Sequence, residues 1–440
     1  MNAKIEQREK QRSDSMNAKI EQREKQRSDD AQEKFGQHEK LRLTAQKRRS
    51  DSMKKEKKPG LGAWLSREKW GLLLLLAAAA LFVGARLWLG AGEAKTPPTG
   101  DYAEYEKGVV VDILSDSSVQ DEASDGGWRG EQLLTVQLQT GQYAGKTLLV
   151  NNFIGPLYGV PLQKGDSAAL IVNTYSSGEI RATVYEFNRI PALLGLVLLF
   201  ALATVLVGGK TGLKSLVGLA VTVACLFWVL IPLLLRGAPT LPTVFLCCVN
   251  ITLVSFTILG GLHRKTVCAM LGTVAGVALA MLFGLAAQSF ARIDGLRMSE
   301  VEPLLQLRQA GVPIGLRYLL VGGIVISALG AVMDVAMSVS SALEEVHAAN
   351  PEYGAKELFR SGMNIGRDMV GTMTNTLILA FLGSGFTLII YLYSLGLARW
   401  QLLPSAYMAV ELIGGLSSSI GMILAIPLTA LISAAMLAKK

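Results

Sequence analysis

From residue 190 onward the chain is a succession of apolar runs, each about as long as a bilayer is thick. They lie at 190–207, 213–235, 241–262, 267–290, 316–338, 369–395 and 408–437. A helix of about 20 apolar residues spans the hydrocarbon core. In lipid a backbone must satisfy its own hydrogen bonds, so runs of this length have to be helical. An eighth run, at 71–90 (GLLLLLAAAALFVGARLWLG), precedes them. Trp70 and Trp88 mark its two interfaces and Arg86 is placed to snorkel outward. The basic region before it is too long for a cleaved signal peptide, which leaves an uncleaved anchor at 70–90. The expected fold class is an α-helical integral membrane protein of about eight transmembrane helices. The 45 glycines agree with this, since glycine is enriched in membrane helices.

Residues 1–69 are a charged tail. MNAKIEQREKQRSDS at 1–15 recurs at 16–30 as MNAKIEQREKQRSDD, with a looser echo at 33–42. The repeat has no apolar face to bury, so it is expected to be disordered. Residues 1–70 hold 20 Lys/Arg and 12 Asp/Glu, and 20 − 12 = +8 accounts for the whole formal charge. These bases alternate with acids and lack aromatic platforms, which argues against nucleic acid as a partner. The expected partner is the lipid bilayer itself. Lys54, Lys55, Lys57, Lys58, Arg67 and Lys69 hold this end in the cytoplasm and can meet anionic lipid headgroups.

Residues 91–189 differ in kind, with 13 acids against 7 bases. Alternating runs at 108–114, 132–139, 146–151, 167–174 and 179–187 predict short strands. Asp125-Gly126-Gly127, Thr140-Gly141, Lys164-Gly165-Asp166 and Ser176-Ser177-Gly178 are the turns between them. A small extracytoplasmic β-rich domain is expected, a barrel or OB-like fold. Eight crossings then return the C-terminus to the cytoplasm, in the cell (plasma) membrane. One feature resists this orientation: the outer segment at 291–317 carries Arg292, Arg297, Arg308 and Arg317, more basic charge than an outer loop usually holds.

Enzyme signatures fail on inspection. Gly208-Gly209-Lys210-Thr211 resembles the end of a P-loop, but the first glycine would fall at 204, where Thr204 stands. HExxH and GxSxG do not occur. His38, His263 and His347 are scattered, and Cys225, Cys247, Cys248 and Cys268 all lie in apolar runs without zinc spacing. No cofactor or metal is expected. Asp334 and Asp368 invite comparison with an intramembrane aspartyl protease, but Gly366-Arg367-Asp368 stands where GxGD is required. The expectation is not an enzyme.

What remains is a set of small and polar residues inside apolar runs. Gly272 and Gly276 form GxxxG, a close-approach motif. Gly383-Ser384-Gly385 interrupts the seventh of the eight runs, and Gly414, Gly415 and Pro427 lie in the last. Asp334, Ser338 and Ser341 share a helix face, as do Asp368, Thr372 and Asn375. If the two faces meet, they line a polar pocket open to the cytoplasm, with Asp334 as its ionisable element and Arg367 as a cation within reach. The alternative is that Asp334 hydrogen-bonds Asn375 or Thr372 to join two helices.

GAVMDVAMSVSSALEE (330–345), ELFRSGMNIGRDMVGTMTNTLILAF (357–381) and SIGMILAIPLTALIS (419–433) resemble the YibE/F-like family of predicted multi-pass membrane proteins. The likeness covers roughly 68–440 and implies an anchor, a polar insert and a seven-helix bundle at 190–440. It implies no substrate and no catalytic residue. The leading expectation is a permease-like transporter of a small solute or ion, although no inverted repeat is visible. The other is a non-transporting receptor or assembly scaffold whose outer domain binds a partner.

Overall fold

The computed structural model describes residues 102–175, 179–298, 301–396, 398–402 and 404–438. The tail, the 71–90 anchor and the turn at 176–178 lie outside the described residues.

The first described element is a β-barrel. Six strands run β1 (Tyr102–Asp116), β2 (Val119–Asp121), β3 (Gly127–Leu138), β4 (Thr147–Ile154), β5 (Ser167–Thr174) and β6 (Ile180–Phe187). The order is β1-β5-β6-β4-β3-β2, and β1 also pairs with β3, so five strands close on themselves and β2 is an appendage. All ladders are antiparallel except β4–β6, which is parallel. Closure depends on β1 serving two neighbours. Its first half, to Val109, pairs with β5, and from Gly108 onward it pairs with β3. At the crossover a Cβ on Gly108 would lie 2.5 Å from Val136 Cγ1 and 2.7 Å from Leu170 Cδ1. Only glycine lets β1 bend that tightly over the core. Inward residues alternate as a pleat requires: Val110, Leu134, Val136, Leu138, Val150, Leu170 and Val172 are all buried.

The expected strands all appear: β1 is lengthened at both ends, β3 at its start and β4 at its end, β5 has the expected bounds, and β6 begins one residue later. The expected turns at Gly126, Gly141 and Gly165 take the positive φ that glycine permits. The three-residue β2 was not foreseen, being too short to show a period.

From Ile190 the chain is helical. The elements are α1 (Ile190–Cys225), α2 (Ile231–Leu235), α3 (Thr240–Gly260), α4 (Arg264–Ala291), α5 (Val301–Gln309), α6 (Leu319–Ala349), α7 (Ala355–Ser384), α8 (Phe386–Ser394), α9 (Arg399–Leu402) and α10 (Ala406–Leu437). Among the described residues, five stretches are long and apolar enough to cross a membrane: Ile190–Leu235, α3, α4, α6 and α10. The pair α7–α8, bent by 60° at Gly385, makes a sixth if it is one span. That bend falls in the expected Gly383-Ser384-Gly385 interruption. Pro427, by contrast, stays inside an unbroken α10.

The first two expected runs of the bundle fall in the 46-residue stretch Ile190–Leu235. It breaks at Gly209, whose φ of 54° and ψ of −133° are not helical. A Cβ on Gly212 would overlap the carbonyl oxygen of Thr204, eight residues earlier. Eight residues of intact helix span about 12 Å, so the chain must fold back here. Further on, Leu226–Leu230 forms a π turn ahead of Pro232, a local adjustment to a residue that lacks an N–H.

Two helices run well past their apolar runs: α6 continues beyond 338 to Ala349, and α7 starts at Ala355, ahead of the run at 369. Residues 342–349 (ALEEVHAA) are nearly all good helix formers, Leu343 is fully buried, and Lys265 pairs with Glu344 at 3.0 Å. The turn comes only at Asn350-Pro351.

Small residues set the core of the bundle. Along α4, Gly272, Gly276 and Ala280 face Thr429, Ala425 and Gly421 of α10 in that order, an antiparallel seam with a four-residue step on both helices. A Cβ on Gly276 would lie 2.6 Å from that of Ala425. On another side of α10, Gly362 and Gly366 of α7 meet Ala430 and Ile426. Close backbone approach gains dispersion contacts between the helices. All four cysteines are buried.

Candidate functional site

Asp334 lies midway along α6, 15 residues from each of Leu319 and Ala349, about 22 Å from either end. It lines a cavity of about 380 Å³ between α1, α3 and α6. Each helix presents one stripe. From α6 come Ile326, Leu329, Gly330, Met333 and Asp334; from α1 Ser215, Gly218, Leu219 and Thr222; from α3 Cys248, Ile251, Ser255 and Leu259. The spacings of three and four residues are those of one helix face. Among the described residues the carboxylate is the only charged group in the lining, and Asp334 makes no ion pair or hydrogen bond with any of them. Thr222 Oγ1 donates to the Gly218 carbonyl at 3.0 Å, which leaves its lone pairs free to accept. The wall thus offers a negative charge and three hydroxyls on an apolar frame.

The expected pairing of Asp334 with α7 is not what the helices do. None of Ser338, Ser341, Arg367, Asp368, Thr372 and Asn375 lines this cavity. The reason is rotation. Leu343 is the α6 residue that meets Gly362 of α7, and Asp334 precedes it by nine residues. Nine residues are 2.5 turns, so Asp334 points the opposite way. Asn375 stands in the same relation to Gly366, which packs on Ile426 of α10. Ser338, Arg367, Asp368, Thr372 and Asn375 are exposed, and Ser341 is half-buried. The Thr372 hydroxyl donates to Met369 O at 3.2 Å and that of Thr376 to Thr372 O at 2.9 Å. These threonines are satisfied within their own helix.

Ser215, Thr222 and Ser255 are the site residues that sequence reasoning passed over. Single hydroxyls in an apolar run carry no signal until the facing helices are known. Glu411 was passed over as well, although a lone acid in the last apolar run is a visible signal. It lines an apolar groove beside the α7–α8 bend, with Phe381, Gly385 and Gly415.

A family model described as YibE/F-like protein matches residues 196–439. The chain belongs to the YibE/F-like family. The matched region begins inside α1 and takes in the whole of the Asp334 cavity, while the β-barrel lies before it. Neither the curated proteins nor the solved structures yield a match.

Proposed function

We propose that this YibE/F-like chain is an integral membrane protein of the cell membrane that moves a small cation or cationic solute by way of the Asp334 cavity. One observation carries the reading: a lone carboxylate at the midpoint of a membrane-length helix lines a cavity whose other polar groups are hydroxyls. An ionisable group at membrane depth is costly and calls for a partner, a cavity or a function. Hydroxyl oxygens and one carboxylate suit a small cation, and the carboxylate's charge disfavours an anion. The chain's own part is to hold Asp334 against Ser215, Thr222 and Ser255. Family membership and the apolar helices are compatible with this reading.

The test is a deletion strain complemented with Asp334→Asn and Asp334→Leu. Asn keeps shape and hydrogen bonding but removes the charge. The expected result is at least tenfold lower activity for Asp334→Asn, with insertion and yield unchanged. Full activity of Asp334→Asn would sink the transport reading.

A second reading rests on the barrel. Its five closed strands, with one parallel pair, suit the expected OB-like barrel, an architecture whose strands and loops can present a ligand-binding face. Tyr105 and Tyr185 meet edge to face at 5.2 Å on its outer surface, and the nearby Phe153 is also exposed. This aromatic row favours a partner-binding outer domain in a receptor or scaffold. Loss of complementation on Tyr185→Ala with Asp334→Asn silent would favour it.

A further inference from the structure

The excess of arginine at 291–317 has a structural outcome. Of Arg292, Arg297, Arg308 and Arg317, the first and last come together on one cavity of about 460 Å³ where α4 ends and α6 begins. Gln288, Ser289, Asp294 and Tyr318 complete its polar wall. Its apolar wall is Leu285 and Ile293.

The backbone around the cavity is fixed from several sides. Arg292 caps α4 in the left-handed region at φ 52°, which turns the chain so that the Ile293 N–H reaches Gln288 O at 3.1 Å and the side chain is buried. The Arg317 carbonyl accepts from Gly295 N–H at 3.0 Å and from Gln288 Nε2 at 3.4 Å. The Arg317 guanidinium lies over the Tyr318 ring, 5.7 Å from its centroid. Neither Arg292 nor Arg317 makes an ion pair among the described residues. The first N–H groups of α6 lie next to Arg317 and Tyr318 without a side-chain cap, so the positive end of a 31-residue helix adds to the field.

We propose that this cavity binds a phosphate group, and that the two arginines supply the donors. Guanidinium forks match phosphate oxygens in pairs. With two arginines and one aspartate the wall carries 2 − 1 = +1, which suits a singly charged phosphodiester. Phosphodiesters of lipid headgroups and inorganic phosphate share this chemistry. The inference rests on the membrane part of the proposed function, since the cavity falls where two membrane-length helices end. It does not involve Asp334.

The test uses the full chain purified in detergent and native mass spectrometry with three probes: phosphatidylglycerol, inorganic phosphate, and an uncharged diacylglycerol of the same chains. Wild type is expected to retain phosphatidylglycerol at least tenfold better than diacylglycerol. Arg292→Gln and Arg317→Gln should each abolish most of that preference. Asp294→Asn removes the repelling charge and should raise retention, a direction that mere loss of fold would not produce. Inorganic phosphate retained with the same dependence on Arg292, Arg317 and Asp294 supports the site with a free anion as its ligand. Retention of both phosphate probes that ignores all three substitutions overturns the proposal. Asp334→Asn should bind the probes as wild type does, so a failed transport reading leaves this result intact. Recovery of the chain in the soluble fraction after a carbonate wash would defeat the membrane reading by itself, and the inorganic phosphate measurement would still decide the cavity.

Discussion

Gln132 shows how a single polar side chain can hold a loop inside an apolar barrel. It is 1 % exposed. Its Oε1 accepts from Leu162 N–H at 2.8 Å and from Asn152 Nδ2 at 2.9 Å. Its Nε2 donates to Asp116 Oδ2 at 2.7 Å and to Leu162 O at 3.2 Å. The amide thus pairs with Leu162 as a neighbouring strand would, and docks the loop after β4 on the core. Gln132→Leu preserves volume but strands the Leu162 N–H and the Leu162 carbonyl, while Asn152 Nδ2 keeps its bond to Val160 O at 3.0 Å. Each orphaned buried group costs about 1–3 kcal/mol, so a loss on the order of 2–4 kcal/mol is expected. Hydrogen exchange of the intact chain checks this: peptides covering 155–162 should exchange at least tenfold faster in Gln132→Leu. Unchanged protection there would show that Leu162 is held by packing alone.

Between helices, the α4–α10 seam makes a sharper demand. A Cβ on Gly276 would meet Ala425 Cβ at 2.6 Å and Val332 Cγ1 at 2.8 Å, whereas one on Gly371 would meet nothing within 4 Å. Gly276→Leu must therefore push α4 off both α10 and α6, which overpacking data place at about 1–3 kcal/mol or more. Gly371→Ala should be neutral or stabilising by up to ~1 kcal/mol through helix propensity. A thermal shift in detergent separates them: the midpoint should fall for Gly276→Leu and hold or rise for Gly371→Ala. Equal behaviour would mean that the seam is not close-packed.

That seam was half legible, because GxxxG names the close-packing side of α4 without naming its partner. The strands of the barrel were legible because one face of each is buried, and burial imposes a period of two. The ends of α6 and α7 were not. Residues 342–368 look like a polar loop by composition, yet Leu343, Leu358, Gly362 and Gly366 bury a stripe that averaging over all sides conceals. The cavity was legible only in its charge. Asp334 stood out as an acid in an apolar run, but its neighbours depend on how α6 is rotated, and that is settled by which side Leu343 buries.

At the scale of the whole molecule, the helix ends sort into two sets. Because Gly272 meets Thr429 and Ala280 meets Gly421, the start of α4 lies with the end of α10. The Lys265–Glu344 pair brings the end of α6 to the same side. The turn at Asn350–Gly354 follows directly, so it belongs with them. The Arg292–Arg317 cavity lies at the opposite ends of α4 and α6. If the basic tail holds the N-terminus in the cytoplasm, the 71–90 anchor carries the barrel outside. The break at Gly209 then puts Lys210 inside, Gln306 outside and Glu352 inside. Single cysteines at Glu122, Lys210, Gln306 and Glu352, all exposed, test this once the four buried native cysteines are replaced by alanine. With an impermeant thiol reagent, Glu122→Cys and Gln306→Cys are expected to react in intact cells. Lys210→Cys and Glu352→Cys should react only after permeabilisation. A Lys210→Cys variant that stays unreactive in both conditions would place Gly209 at membrane depth and remove one crossing. Labelling of Glu352→Cys in intact cells would invert the orientation of α6 and α7, and with it the side on which the arginine cavity meets its ligand.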